Sequence, residues 1–152
     1  MAFLTVSDRR RCYRPAVARN SRVKPRDNQM VSLSPTALDH FFAEPDDSAV
    51  VMLNLLQFHP DGGRERHLEY LKLAEPILAR FGARILFRGK GLPALTAGDL
   101  EGWDAVMLVQ YPRRSAFQDM IADPDYQKVF QVGIAAISDI VLQPLKQLHS
   151  LD

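Results

Sequence analysis

The amino-acid sequence predicts an α+β domain with the element order β-α-β-β-α-β, preceded by one extra helix. Four apolar segments of strand length predict the sheet, at residues 50–58, 83–88, 104–111 and 137–145. Amphipathic segments of helical period separate the first strand from the second and the third from the fourth. With 152 residues, 47% of them hydrophobic, the chain can build the core of one ordinary domain.

Nearly continuous apolar residues predict the strands. Val50 to Phe58 carries only Asn54 and Gln57 as polar residues, which is typical of a strand buried on both faces. Asp104 to Tyr111 has the same character. The second strand, Ala83 to Arg88, precedes two glycines and a proline, so we expect any extension of it to be irregular.

Capping residues and apolar stripes predict the helices. Ser34-Pro35 marks the start of the extra helix, because Ser is a good N-cap and Pro favours the first helical position. Residues 64–81 predict a long helix that ends at Gly82, with Pro76 expected to kink or loosen it. The second crossover is predicted as two short helices, at residues 115–122 and 123–136.

This order of elements is that of the ferredoxin-like fold. Its helices cover one face of a four-stranded sheet and leave the other face open. Because both faces of the predicted strands are apolar, a second copy of the sheet is the simplest cover for the open face. The sequence therefore predicts a homodimer.

Composition excludes several classes of protein. No apolar run approaches the ~18 residues of a membrane span, so we expect no membrane partner. Cys12 is the one cysteine, which excludes an internal disulfide and agrees with a cytoplasmic location. The four histidines lack paired metal-ligand spacing, and no phosphate loop or nucleophile–base motif is present. We therefore predict neither a metal nor a cofactor.

The positive charge is concentrated at the start of the chain. Residues 1–30 hold eight basic and two acidic residues, a charge of +6, whereas the rest holds eleven basic and sixteen acidic ones, a charge of −5. A nucleic-acid-binding arm and a transit peptide both fit this composition. Because the stretch lacks apolar periodicity, we predict a disordered basic tail at residues 1–32, a domain at residues 33–148 and no nucleic-acid partner.

Several motifs resemble those of one family. The first strand, at residues 51–58, is one of them, and the helix-to-strand junction, at Tyr70 and residues 81–84, is another. The third strand and its following helix lie at residues 103–106 and 111–117. A Pro-x-Tyr helix start lies at residues 123–127. Over about residues 48–145 the chain resembles domain-of-unknown-function family 1330, in the dimeric α+β barrel superfamily.

The resemblance implies a homodimer whose two sheets face each other as a barrel. Related superfamily members include cofactor-independent monooxygenases, lactone isomerases and polyketide cyclases, while others carry haem or act as regulatory binding modules. The chain departs from the family at Gly133, where relatives usually carry an arginine. If that arginine binds an anion in relatives, the ligand here is lost or changed.

Three residues are candidates for catalysis. Asn54 is an amide within an apolar strand, where it either orients a substrate carbonyl or enolate or makes a structural hydrogen bond to a neighbouring loop. His67 borders the predicted helix face and is a candidate general base, although many helical histidines are exposed or structural. Tyr70, one helical turn later, is a candidate proton carrier.

Five further residues are candidates for substrate binding. Arg84 and Arg88 are expected to share one strand face and clamp a carboxylate or carbonyl, or else to pair with acids at a solvated edge. Gln110 is expected on one face with Val106 and Leu108, where it meets Asn54 or a ligand. Trp103 and Tyr126 either line an aromatic pocket with Tyr70 or simply pack.

These candidates predict a cofactor-independent enzyme of small-molecule or secondary metabolism, of cyclase, isomerase or monooxygenase type. Its substrate would lie between the sheet and the helices. The alternative is a non-catalytic ligand-binding or accessory homodimer, which is favoured by the lack of a nucleophile–base pair and by Gly133.

Overall fold

The computed structural model describes residues 31–97 and 102–148. The elements, in chain order, are α1 (Pro35–Ala43), β1 (Val50–Phe58), α2 (Gly63–Arg80), β2 (Arg84–Lys90), β3 (Ala105–Tyr111), α3 (Arg114–Ala122), α4 (Pro124–Ala136) and β4 (Ile137–Leu145). The predicted order is confirmed. The predicted basic tail lies almost entirely outside the described residues.

The four strands form one antiparallel sheet in the order β2-β3-β1-β4. Strand β1 is therefore central, and each half of the chain contributes one inner and one outer strand. This is the ferredoxin-like arrangement predicted from the sequence. None of the described helices is long and apolar enough to cross a lipid bilayer.

Capping residues fix the start of α1 and the end of α2 where the sequence predicts them. The Ser34 hydroxyl accepts a hydrogen bond from the amide of Ala37 at 3.2 Å, as an N-cap does. At the other end of α2, Gly82 has φ of +74°, and the amide of Ala83 donates to the carbonyl of Leu78. This Schellman closure requires a left-handed residue, which glycine supplies without strain. The helix runs without interruption through Pro76.

Asp123 fixes the start of α4. Its carboxylate accepts hydrogen bonds from the amides of Asp125 and Tyr126 at 3.0 and 3.1 Å, and it also pairs with Arg80 at 2.9 Å. The ion pair connects the last turn of α2 to the first turn of α4. The two helices that cover the sheet are therefore held in register at one end.

The main core lies between the sheet and the helices. It includes Met52 from β1, Val109 from β3, Leu71 from α2 and Met120 from α3, and residues of α1 pack against it. A smaller cluster forms around Leu56 and Ala136, and Val31 packs against it. Ordered packing thus includes residues just before α1.

The face of the sheet opposite the helices is here called the open face. According to the strand register, six apolar side chains project from this face. They are Val51, Leu53, Leu55, Val106, Leu108 and Val141. All six are only half-buried, and all four described helices pack on the other side. The sequence prediction of two apolar sheet faces is correct.

A register shift in β2 overturns one prediction. Arg84 lies opposite Gln110 and Arg88 opposite Met107, because an extra residue is inserted between Ile85 and Phe87. Cross-strand partners share a face, so Arg84 belongs to the open face and Arg88 to the helix side. The expectation that Arg84 and Arg88 share one strand face is wrong, because the bulge interrupts the simple alternation of side chains.

Candidate functional site

A cavity of about 430 Å³ lies between the helix side of the sheet and helices α2, α3 and α4. We call it the central cavity. Among the described residues, its sheet wall is apolar except for one amide and one phenol; it consists of Met52, Asn54, Leu56, Met107, Val109, Tyr111, Ile137, Ile140 and Leu142. Among the predicted site residues, Asn54, His67, Tyr70 and Tyr126 all line it. The volume suits a compact small molecule.

Asn54 points into the central cavity from the middle of β1. Its amide nitrogen donates to the carbonyl of Met52 on the same strand at 3.2 Å. Among the described residues it makes no hydrogen bond to a loop, which was the structural alternative. One N–H and the amide oxygen therefore face the cavity, where they can bind a polar group of a ligand.

Two tyrosines from different helices meet over the cavity. The hydroxyl of Tyr70 on α2 lies 3.1 Å from the hydroxyl of Tyr126 on α4. Only one of the two can donate to the other, so one phenolic proton remains for a ligand. Burial raises the pKa of both phenols, more strongly for Tyr126. Both therefore stay protonated at neutral pH and act as hydrogen-bond donors.

His67 lies beside this pair. Its ring is 5.8 Å from that of Tyr70 and 5.1 Å from that of Phe58, measured between centroids. Burial, aided by the charges of Arg88 and Arg64, lowers the pKa of His67 to about 4. The imidazole is consequently neutral near pH 7 and can accept a proton.

Gly133 explains how the tyrosine pair fits. A Cβ atom at this position would lie 2.9 Å from Cδ2 of the Tyr70 ring. Helices α2 and α4 can therefore place Tyr70 against Tyr126 only because residue 133 has no side chain. The ring of Tyr70 occupies the space into which any larger residue at 133 would extend.

Three predicted substrate-binding residues lie away from the central cavity. Arg84 donates to the side-chain oxygen of Gln110 at 2.8 Å on the open face. Gln110 shares that face with Val106 and Leu108 as predicted, but Asn54 projects from the other side. The predicted meeting of Gln110 with Asn54 is therefore wrong within one subunit. Trp103 precedes β3 and lines neither of the two cavities described here.

Arg88 lines a second, smaller cavity beside α2 and β2, where it accompanies His67. Within residues 31–97 and 102–148, no group of three or more His, Cys, Asp or Glu side chains could hold a metal ion. The polar side chains that line the central cavity carry phenols, an imidazole and amides.

The motifs of the sequence correspond to a recognised family. The family model described as "Domain of unknown function (DUF1330)" matches residues 62–142, which is more than half of the chain. The chain belongs to the DUF1330 family. In this DUF1330 protein the matched range contains His67, Tyr70 and Tyr126, whereas Asn54 precedes it. No curated protein is similar enough to match the chain.

Solved structures support the fold. The RPA0582 protein of unknown function from Rhodopseudomonas palustris is 28% identical, with a TM-score of 0.73 over 81% of this chain and 100% of that one. A dimeric ferredoxin-like protein of unknown function from Jannaschia sp. CCS1 is 13% identical, with a TM-score of 0.53 over 66% and 100% of the two chains. At that identity the similarity concerns the fold alone.

An enzyme is among the structural neighbours of this DUF1330 protein. Hydroxynitrile lyase from Passiflora edulis superposes with a TM-score of 0.56, covering 70% of this chain and 99% of the lyase at 8% identity. Here too the similarity concerns the fold. The family and its structural relatives thus establish the architecture and leave the activity open.

Sequence reasoning missed one polar residue at the sheet wall of this DUF1330 protein. Tyr111, at the end of β3, is buried in the central cavity, and its hydroxyl donates to Sδ of Met120 at 3.6 Å. Burial raises the pKa of the Tyr111 phenol, and the nearby Tyr70 raises it further to a smaller extent. Strand alternation from Met107 through Val109 would have placed it on the helix side. Gln127 and Gln131 of α4 also line the cavity, but they carry no distinguishing sequence signal.

Proposed function

We propose that this protein binds a compact, partly apolar small molecule in the central cavity and converts it without a cofactor. The reaction would be of cyclase, isomerase or monooxygenase type. One observation carries the proposal: a largely apolar cavity contains a phenol pair, a buried neutral imidazole and an amide from three different elements. Polar groups concentrated in an apolar pocket are the usual form of a small-molecule site.

The phenol pair and Asn54 would stabilise developing negative charge on a substrate oxygen. The remaining phenolic proton and the remaining amide N–H are both donors. Donors held in a largely dry cavity stabilise an enolate oxygen more strongly than water does. No arginine of the part of the chain that the structure describes lines the central cavity, so neutral donors would take the role that the sequence assigned to Arg84 or Arg88.

His67 would move the proton. With a carbonyl substrate, its free ring nitrogen takes a proton from the carbon next to the carbonyl, and the electron pair of that C–H bond forms the enolate. Return of the proton to a different carbon of the delocalised enolate gives an isomer. Attack of the enolate carbon on a second carbonyl of the substrate closes a ring, and the proton passes from His67 to the new alkoxide oxygen. Oxygenation would additionally consume dioxygen, one atom of which becomes a carbonyl oxygen on the activated CH2 carbon while the other leaves as water with the two hydrogens of that carbon. Tyr70 packs beside His67, with 5.8 Å between the ring centroids, and its hydroxyl would pass a proton through its hydrogen bond with Tyr126.

Turnover of a metabolite mixture by wild-type protein tests the proposal, with Asn54→Ala, His67→Gln and Tyr126→Phe as variants. We expect each variant to fold and to lose activity by about 10²-fold or more, the usual effect of removing a catalytic proton carrier or oxyanion donor. His59→Gln is the matched control, because His59 is exposed outside the cavity. Full activity in folded Asn54→Ala and His67→Gln variants would eliminate this mechanism.

A non-catalytic binding module is the second candidate. Within the described residues the imidazole ring of His67 has no hydrogen-bond partner, so no carboxylate orients it as one orients the base of a catalytic dyad. If compounds from the same mixture shift the NMR signals of Tyr70 and Tyr126 but are recovered chemically unchanged, the binding module is favoured over the enzyme.

We further propose a cytoplasmic homodimer in which two open faces meet. The half-buried apolar side chains of that face support it, since large exposed apolar patches normally mark interfaces. The central cavity lies on the opposite side of the sheet, so pairing of the open faces does not occupy it.

A further inference from the structure

We propose that the second cavity binds the carboxylate of a ligand whose apolar body occupies the central cavity. This inference rests on the proposed function and narrows its substrate class to small amphipathic carboxylic acids. We call the second cavity the basic cavity. It has a volume of about 390 Å³, and its three cationic lining residues are Arg64, Arg88 and Lys90.

The basic cavity combines cations from two separate elements. Arg64 lies in the first turn of α2, whereas Arg88 and Lys90 lie on edge strand β2. The bulge in β2 is what turns Arg88 to this side of the sheet. Within residues 31–97 and 102–148, no aspartate or glutamate lines the cavity, so among these residues the three positive charges face the same space without a compensating carboxylate.

These cations have no structural partner among the described residues, unlike other arginines of the domain. Arg80 pairs with Asp123, and Arg114 donates to the backbone carbonyls of Phe41 and Asp46. Arg64 instead lies over the ring of Phe58, with 5.2 Å between Cζ and the ring centroid. That stacking positions the guanidinium while leaving its N–H groups free for a carboxylate.

The two cavities are adjacent. His67, Leu71 and Met107 line both of them, so the imidazole forms part of the wall between the apolar space and the cations. The proposal therefore requires a ligand with its body against Tyr70 and Tyr126 to extend past His67 towards Arg88. The influence of Arg88 and Arg64 on the pKa of His67 agrees with this proximity.

A bound carboxylate would also act on the candidate base. By offsetting the positive charge next to His67, it would make the imidazole easier to protonate. The base would therefore be stronger in the complex than in the free protein. This couples recognition of an acid to the proton transfer proposed for the central cavity.

The test compares two probes of the same shape, 2-naphthoate and 2-naphthamide, by calorimetric titration of the full chain. We expect the acid to bind at least about tenfold more tightly, as charge-assisted hydrogen bonds to arginine imply. Arg64→Gln and Arg88→Gln should abolish that preference. Arg66→Gln is the matched control, because it removes one positive charge from the exposed surface of α2 outside the cavity.

NMR signals of the tyrosine rings separate failure of this inference from failure of the proposed function. If both probes bind equally and shift Tyr70 and Tyr126, the carboxylate subsite is wrong and the central cavity stands. If the acid binds without affecting those rings, the two-part site is wrong. The inference is also overturned if 2-naphthoate does not bind. It is likewise overturned if Arg66→Gln reduces the preference for the acid as much as Arg88→Gln does.

Discussion

At the scale of single residues, the candidate site depends on a few side chains whose protonation and fit are unusual. His67 is neutral because it is buried among aromatic rings and lies near two arginines. Tyr70 and Tyr126 are paired because Gly133 leaves room for one ring. Each of these features has a consequence that can be measured without knowing the substrate.

The buried imidazole predicts a pH dependence of stability. The unfolded chain protonates His67 near pH 6.5, but the folded protein does so only near 4. Stability from this group is therefore fully present above pH 6.5 and is lost as the pH falls towards 4, by on the order of 2 kcal/mol.

Urea unfolding of wild type and His67→Gln at several pH values between 7 and 4 measures this effect. We expect the difference between the two proteins to shrink towards low pH, whereas exposed His59→Gln should follow wild type throughout. A constant difference between wild type and His67→Gln would show that the histidine does not titrate as described.

Gly133 predicts a steric effect. In Gly133→Ala the new methyl group would lie 2.9 Å from the partly buried Tyr70 ring, which would have to shift to accommodate it. Although alanine favours helix, we expect a net loss of about 1–2 kcal/mol of stability from overpacking. Gly102→Ala is the control, since the nearest atom there is 3.5 Å away. Equal unfolding midpoints for the two variants would contradict a close fit at Tyr70.

At the scale of elements, much of the fold and part of the site are predictable from the sequence. Caps at Ser34 and Asp123 and the glycine at 82 fix helix ends, because each satisfies backbone groups locally. The candidate Asn54 is predictable because a polar residue in an apolar strand stands out, and it lines the central cavity. The sheet faces on which Arg84 and Arg88 lie were not predictable. A one-residue bulge in β2 reverses the alternation of side chains between the two faces, and it leaves no clear signal in the sequence.

The junction of α2 and α4 predicts unequal effects for two neighbouring aspartates. Asp123→Ala removes the N-cap of α4 and the 2.9 Å ion pair with Arg80, and we expect it to cost about 1–2 kcal/mol. Asp125→Ala removes only a more exposed, 3.4 Å pair and should cost less than about 0.5 kcal/mol. Thermal unfolding ranks the two, and equal effects would argue against the cap.

At the scale of the whole molecule, the two faces of the sheet have different roles. The helix side holds both cavities, whereas the open face is apolar at its centre and bears polar residues such as Arg84 and Gln110. Phe87 on edge strand β2 is 53% exposed, more than a large aromatic side chain of a lone subunit normally is. This asymmetry is what a sheet-to-sheet homodimer requires, because the chemistry and the interface then use different sides.

The proposed dimer predicts a specific response to charge on the open face. We expect wild-type protein to show twice the chain mass in light scattering at micromolar concentration, and Leu53→Arg, at the centre of the face, to be monomeric because a buried charge without a partner opposes pairing. Leu73→Arg is the matched control, since Leu73 is already 45% exposed on α2. Circular dichroism verifies that both variants fold. A wild-type monomer, or a dimer that survives in folded Leu53→Arg, would exclude this interface, and the apolar residues of the open face would then need another partner.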